Sequence, residues 1–382
     1  MFVVDWPAVT STSGGGPIIP DYTGANVRGI IPALLGPATW SAATLPGWMP
    51  APVVDSDQCV LLVLDGLGWD QFRDRAAMMP NLAGFVGQSI HTVAPTTTAT
   101  ALTSITTGLT PGEHGLVGYR MLLGGEVLNV LRWAVDGQIV RRQKSPSETQ
   151  PFEPFLGMNV PVVSMAELEN SAFSEAHLRG CAPHGWRAAS SIAVTAAAQV
   201  EAGERFVYCY YGGIDKIAHE RGFGPYYEAE LRAADQIVGE LLDALPSGTS
   251  LLVTADHGQV EVGDNTIHPS EALLRGVTLQ SGEGRFRWLH AAGGAVVDVA
   301  QAATDEVGEV AWVVTREQVL DEQWFGPTVA PPIRARLGDV ALVARDDVTF
   351  YEAADSGAYE LICRHGSLTS AEVNVPLVAA TA

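Results

Sequence analysis

Residues 59–68 read CVLLVLDGLG. From Val60 to Leu64 the run is apolar without a break, and it ends in Asp65-Gly66. A strand with one wet face alternates; an unbroken apolar run suits a strand buried on both faces, as in a parallel sheet. The same form returns twice. RFVYCYYGGID, residues 205–215, leads into Asp215, and SLLVTADHG, residues 250–258, leads into Asp256-His257. Between them Ala234, Ile237, Val238, Leu241, Leu242 and Leu245 recur at three/four spacing, which predicts an amphipathic helix stopped by Pro246-Ser247-Gly248. Strand, helix, strand is the crossover unit of an open α/β sheet, and α/β is the expected fold class.

Outside these strands, residues 1–50 are rich in Pro, Gly and small side chains and are expected to form an irregular lead-in packed on the core. Residues 281–334 alternate strand-like and helix-like pieces, with Pro331-Pro332 near their end; they are expected to form a small inserted α/β subdomain. The core is then 51–280 together with 335–382. No internal repeat is evident.

A hydrophobic content of 47% over 382 residues is ample for a sizeable core. The net charge of −21 argues against binding to nucleic acid polymers, which needs a basic surface, and against docking on an anionic membrane. A small anionic substrate remains compatible, because bound metal ions reverse the sign of one pocket. Cys59, Cys181, Cys209 and Cys363 show no CxxC spacing, and the first sixteen residues carry neither a basic nor an apolar leader segment. A reducing, cytoplasmic setting is the expectation.

Ligands in open α/β sheets bind beyond the carboxyl ends of the strands. There the chain offers Asp65, Asp215 and the pair Asp256-His257. GGIDKIAHERG adds His219 four residues after Asp215, on the same helical face, and CRHGSL adds His365. Mixed imidazole and carboxylate donors suit Zn²⁺, with Mn²⁺ the alternative. Six such residues are too many for one tetrahedral ion and about right for two ions sharing a nucleophile. Upstream, HTVAPTTTATALTSITTGLTPGEHG, residues 91–115, packs seven threonines into 96–107. If 98–107 is a helix closed by Gly108, Thr98 stands at its N-terminus, with Thr96 or Thr97 as cap.

Taken in order, LDGLG, PTTTATALTSITTGLTPGEHG, DKIAHERG, TADHG and RHGSL resemble the alkaline phosphatase superfamily, and most closely its type I phosphodiesterase/nucleotide pyrophosphatase branch. The resemblance implies a three-layer core with a mainly parallel central sheet, and two Zn²⁺ ions. Asp65, Asp256 and His257 would hold one ion, and Asp215, His219 and His365 the other. Thr98, ten residues before Gly108, would be the nucleophile that bridges the ions and carries a covalent phospho-threonine. For the phosphate contact, the Thr100 hydroxyl or backbone N–H groups are the candidates. The expected substrate is a small phosphate ester or nucleotide-like molecule. A phosphomonoesterase and a phosphonate hydrolase are the alternatives within the superfamily, and an inactive metal-binding homologue is the non-enzyme alternative. A sulfatase is set aside, because CAPHG at Cys181 has Gly185 where Arg would be required. Tyr119, Trp133, Trp186, Trp288 and Trp324 could stack on a base or fill the core.

Overall fold

The computed structural model describes residues 15–355 and 360–382; the first fourteen residues of the lead-in lie outside the described residues. Eleven strands build its seven-stranded central sheet and a four-stranded second sheet. Six belong to the first part of the chain: β1 (Gln58–Leu64), β2 (Val86–His91), β3 (Pro161–Val163), β4 (Ala182–Pro183), β5 (Phe206–Tyr211) and β6 (Thr249–Thr254). Four follow in a second group, β7 (Val277–Glu283), β8 (Phe286–Ala291), β9 (Ala311–Thr315) and β10 (Val340–Ala344), and β11 (Asn374–Thr381) comes last.

The central sheet runs β2-β11-β6-β1-β5-β3-β4. Its three innermost runs are those that stand out in the sequence: β6, β1 and β5 lie side by side and parallel. Val60 to Leu64 are all fully buried, as continuous hydrophobicity predicts for a strand covered on both faces. The sheet continues parallel through β3 and β4, while β11 is antiparallel to both β6 and β2. The mixed α/β architecture with a large, mostly parallel sheet is therefore as expected. Two helices lie between β5 and β6; the shorter, Gly213–Arg221, carries Asp215 and His219, and the longer, Pro225–Ala244, begins with Pro at its first position and buries Leu231, Ala234, Ile237, Val238 and Leu241.

This topology places the site. Because β6, β1 and β5 are parallel neighbours, their carboxyl ends emerge together, and the Asp65 N–H bonds the carbonyl of Tyr211 at 3.0 Å. The β2 strand ends at the same edge, so residues 92–97 carry the chain across it into helix Thr98–Thr107. The lead-in joins there too: Asn26 bridges to His91, and Ile18 N–H bonds the Leu368 carbonyl at 2.9 Å. It contains a short helix, Ile30–Leu35, whose Ile30, Ile31 and Leu34 are buried, so it is less irregular than its composition suggests.

The second sheet, β7-β8-β10-β9, spans more chain than the expected 281–334. It starts at Val277, and β10, expected to rejoin the core, lies between β8 and β9. The reason is visible in the register. Val340, Leu342 and Ala344 face a small cluster with Leu289 and with Val299, Ala303 and Val307 of helix Val296–Val307. Ala341 and Val343 face the main core with Phe286, Trp288, Trp324 and Phe325. A strand covered on both faces reads alike in either sheet. The inserted sheet thus shares one face with the main core. A further antiparallel set, Arg120–Leu123, Glu126–Asn129, Ala134–Val135 and Gln138–Ile139, is not evident in the sequence.

The join between the sheets is polar at one point. Arg285 donates two parallel bonds to Glu372, at 2.8 and 2.9 Å, and both side chains are fully buried. Glu372 also accepts from Ser367 N–H at 2.9 Å, which ties the loop after His365 to the β7–β8 hairpin.

Candidate metal centre

The threonine-rich segment forms helix Thr98–Thr107. Gly108 closes it in the left-handed region, φ 75°, a conformation glycine adopts without steric cost. The dense threonines are explained by burial. Thr103, Thr106 and Thr107 return their hydroxyls to the carbonyls four residues back, so side chains sealed in the core satisfy their own donors. Ser104 bonds the His114 Nε2 at 2.9 Å, which fastens the TPGEHG loop to the helix. Burial pushes His114 down to about 3, so this imidazole is neutral and structural. Thr97 is the N-cap by backbone conformation, but its hydroxyl makes no capping bond. It faces the Glu283 carboxyl instead and acts to lower that group's pKa. Thr96 is tied elsewhere, donating to the Ser367 carbonyl at 2.8 Å and accepting from Gly366 N–H at 2.9 Å.

Of the seven threonines, Thr98 alone is not buried. Its Oγ1 lies 3.1 Å from His257 Nε2. From there the expected ligands follow in contact. His257 Nε2 is 3.5 Å from Asp65 Oδ1 and 3.4 Å from Asp256 Oδ2. The His257 ring stacks on His365 with centroids 3.7 Å apart. His365 Nε2 is 3.8 Å from Asp215 Oδ1, and His219 Nε2 is 3.2 Å from the same oxygen. Two groups have donor atoms all within 4.8 Å of one another: Asp65, Asp256 and His257, and Asp215, His257 and His365. His257 belongs to both, whereas the sequence places it with one ion only. Thr100 is fully buried, and at about 100° per residue it points roughly 200° around the helix from Thr98. The structure does not bring it to this cluster.

Three imidazoles are oriented by their far nitrogens. His219 Nδ1 lies 2.6 Å from the Cys363 carbonyl, His365 Nδ1 2.8 Å from the Thr96 carbonyl, and His257 Nδ1 3.1 Å from the Gly258 carbonyl. Such contacts leave Nε2 free to face a metal. The carboxylates are arranged likewise. Asp65 Oδ2 accepts from the Tyr210 hydroxyl, and Asp256 Oδ1 accepts from Gly66 N–H at 3.2 Å and His257 N–H at 3.0 Å. Their second oxygens, Asp65 Oδ1 and Asp256 Oδ2, are buried and have no hydrogen-bond partner among the described residues. Burial, then the neighbouring Asp256 and Asp215 charges, pushes the Asp65 carboxyl well up, and burial raises Asp256 too. Burial also acts upward on Asp215, but His219, His365 and His257 outweigh it and hold that group well below the usual carboxylate range. Buried carboxylates with orphaned oxygens facing imidazole nitrogens fit a divalent cation.

The family model for type I phosphodiesterase / nucleotide pyrophosphatase matches residues 59–368, from β1 through the His365 loop. The chain belongs to this family. Members are metal-dependent hydrolases acting on phosphoester or phosphoanhydride bonds, within the alkaline phosphatase superfamily. Solved structures agree on the fold. An inactive variant of murine ectonucleotide pyrophosphatase/phosphodiesterase 5 in complex with AMP superposes with a TM-score of 0.63 at 14% identity, covering 85% of this chain and 87% of that one. The human counterpart gives 0.61 at 16% identity over 84% and 87%. Phosphonoacetate hydrolase from Sinorhizobium meliloti, in complex with phosphonoformate, gives 0.62 at 16% identity over 85% and 90%. No curated protein matches the chain significantly. No helix among the described residues is long and apolar enough to cross a membrane.

Three residues at this centre of the phosphodiesterase-family chain escape a reading of the sequence. Tyr210 and Gln259 hold the carboxylates of ligand candidates, and both lie within a few residues of such a candidate, the only signal the sequence offers. Glu283 comes from the inserted sheet, and nothing local marks it. It packs against Gly366, where a Cβ would lie 2.7 Å from its Cγ, and one of its oxygens has no partner among the described residues. Burial, partly offset by the Thr97 hydrogen bond and Arg287, pushes its carboxyl up to about 8. A folded-state value above the unfolded one means that its stabilising contribution is full below the unfolded value, about 4.3, and is lost as pH rises through 8. Glu283→Gln should therefore gain on the parent protein by a few kcal/mol between about pH 5 and 9, read from denaturant unfolding at matched metal content. A stability difference that stays flat across that range would refute the assignment.

Of the aromatic candidates for base stacking, Trp133, Trp288 and Trp324 are fully buried and Trp186 nearly so; these are core residues. Tyr119 is half-buried, and its hydroxyl accepts from Asn129 Nδ2 at 2.7 Å.

Proposed function

We propose that this chain hydrolyses small phosphodiesters or nucleotide phosphoanhydrides with Thr98 as nucleophile. Two divalent ions, Zn²⁺ or alternatively Mn²⁺, are held by Asp65, Asp256 and His257 and by Asp215, His219 and His365. The observation that carries this reading is the placement of Thr98. It is the first residue of its helix, the only unsealed threonine of the run, and 3.1 Å from a residue common to both ligand clusters.

When bound, the ions lower the pKa of the threonine hydroxyl and of water and offset charge on the phosphate oxygens. The remaining work falls to the chain. Thr98 Oγ1 attacks phosphorus, the P–O bond to the leaving group breaks, and the resulting phospho-threonine is hydrolysed by water. The first N–H groups of helix Thr98–Thr107 have no acceptor within the helix and favour the negative charge that develops beside them. AMP and phosphonoformate in two structural neighbours support a small phosphorus-containing anion as substrate. Diesters are favoured over monoesters because the arginine next in sequence after Thr98, Arg120, is committed to Glu352 and Asp355. The four cysteines are free, which fits a reducing, cytoplasmic compartment.

The test compares a p-nitrophenyl monoester, a p-nitrophenyl diester and a dinucleotide at fixed enzyme and metal. The diester and dinucleotide should turn over with the higher kcat/KM. A clear preference for the monoester would replace this reading with a phosphomonoesterase, and selective cleavage of a phosphonate with a phosphonate hydrolase.

A further inference from the structure

Each ligand aspartate of the centre has one oxygen taken by a protein donor. For Asp65 the donor is Tyr210, and for Asp256 it is a pair of backbone N–H groups. For Asp215 it is Gln259, whose Nε2 donates to Oδ1 at 2.9 Å. The same oxygen faces the imidazoles of His219 and His365, which are themselves ligand candidates. Among the described residues, Gln259 is thus the one neutral side chain that fixes how Asp215 is turned.

Its surroundings indicate that the amide is there for this contact. Gln259 is fully buried, yet its Oε1 has no hydrogen-bond partner among the described residues. The one hydrogen bond its side chain makes among the described residues is to Asp215, a ligand candidate. The amide is wedged over Gly66, between the turns that carry Asp65 and Asp215. A Cβ on Gly66 would overlap Gln259 Nε2 and would come within 2.9 Å of the Asp215 Cβ. The residue is also anchored from behind, since Gln71 Nε2 donates to the Gln259 carbonyl at 2.6 Å.

We propose that Gln259 is a positioning residue of the metal centre, holding the Asp215 carboxylate in the orientation that binds the ion shared with His219 and His365. The inference rests on the two-ion reading given above. Partners that orient ligand side chains typically contribute about 10–100-fold in metal affinity.

The experiment titrates chelator-stripped protein with Zn²⁺ against a chromophoric competitor, for the parent and for Gln259→Met, which keeps length and volume but removes the donor. The parent should bind two ions. Gln259→Met should bind one with unchanged affinity and the other about 10–100-fold more weakly, with activity recovering as Zn²⁺ is raised. Gln259→Asn keeps an amide in the site but withdraws it by one methylene, and should show the same selective loss; it carries the test if Gln259→Met does not fold. Folded variants that bind both ions as the parent does would overturn the role of Gln259 and leave the two-ion centre intact. A parent protein that binds no Zn²⁺ would instead overturn the centre itself, and the inference with it.

Discussion

Thr98→Ala is expected to lose turnover by on the order of 10³-fold or more while remaining folded and metal-loaded. The asymmetry between the two effects follows from its surroundings. The Thr98 hydroxyl bonds His257, and the side chain is only part-buried. Removing it leaves no core hydroxyl unsatisfied, and alanine is the better helix former at this position, so stability should change by less than about 1 kcal/mol. Thr103 or Thr107 would behave oppositely. Their hydroxyls bond backbone within the core, far along the helix from its N-terminus, so alanine there should leave kcat almost untouched. Steady-state kinetics on the diester, with metal content measured on the same samples, decides the matter. A Thr98→Ala protein with full activity would remove the nucleophile from the scheme.

The second large effect is expected on metal removal. Exhaustive chelation should abolish activity, and returning Zn²⁺ should restore it. Stability should fall as well, because ions that bind only the folded state contribute about 4 kcal/mol at a thousandfold excess over Kd. Without them Asp65 and Asp256 bring two buried oxygens together with no protein partner for either among the described residues. Unfolding of chelated and reloaded protein, followed with elemental analysis, should show a loss of several degrees in Tm that tracks ion content. Activity that survives complete removal of metal would refute the family mechanism for this chain.

Much of this is legible in the amino-acid sequence. β1, β5 and β6 announce themselves because burial on both faces leaves an unbroken apolar stretch in each, Val60–Leu64, Phe206–Tyr211 and Leu251–Val253, and parallel order then brings Asp65, Asp215 and Asp256 to one edge. What is not legible has a common cause. The reach of the second sheet exceeds the expected bounds because β10 is as uniformly apolar as a central strand, and only its pairing partners reveal which sheet it joins. Thr97 has the residue type and position of a helix cap, but its side chain makes no capping bond and faces a carboxyl far along the chain, Glu283. Gln259 carries no pattern of its own, and its meaning comes from the Gly66 turn beneath it. Local chemistry is written locally; the partners that orient it come from elsewhere in the chain.

The candidate ligands stretch from Asp65 to His365, and β11, which separates β2 from β6, follows later still. During synthesis, then, the early strands wait. Until residues 365–381 have emerged, β2 has no strand to pair with, and the cluster lacks His365. Long-range closure of this kind is slow and leaves strand edges open meanwhile. In the two-ion centre proposed above, capture of the ion assigned to Asp215, His219 and His365 is accordingly a late event for the ribosome's product, because His365 emerges with only β11 of the central sheet still to come.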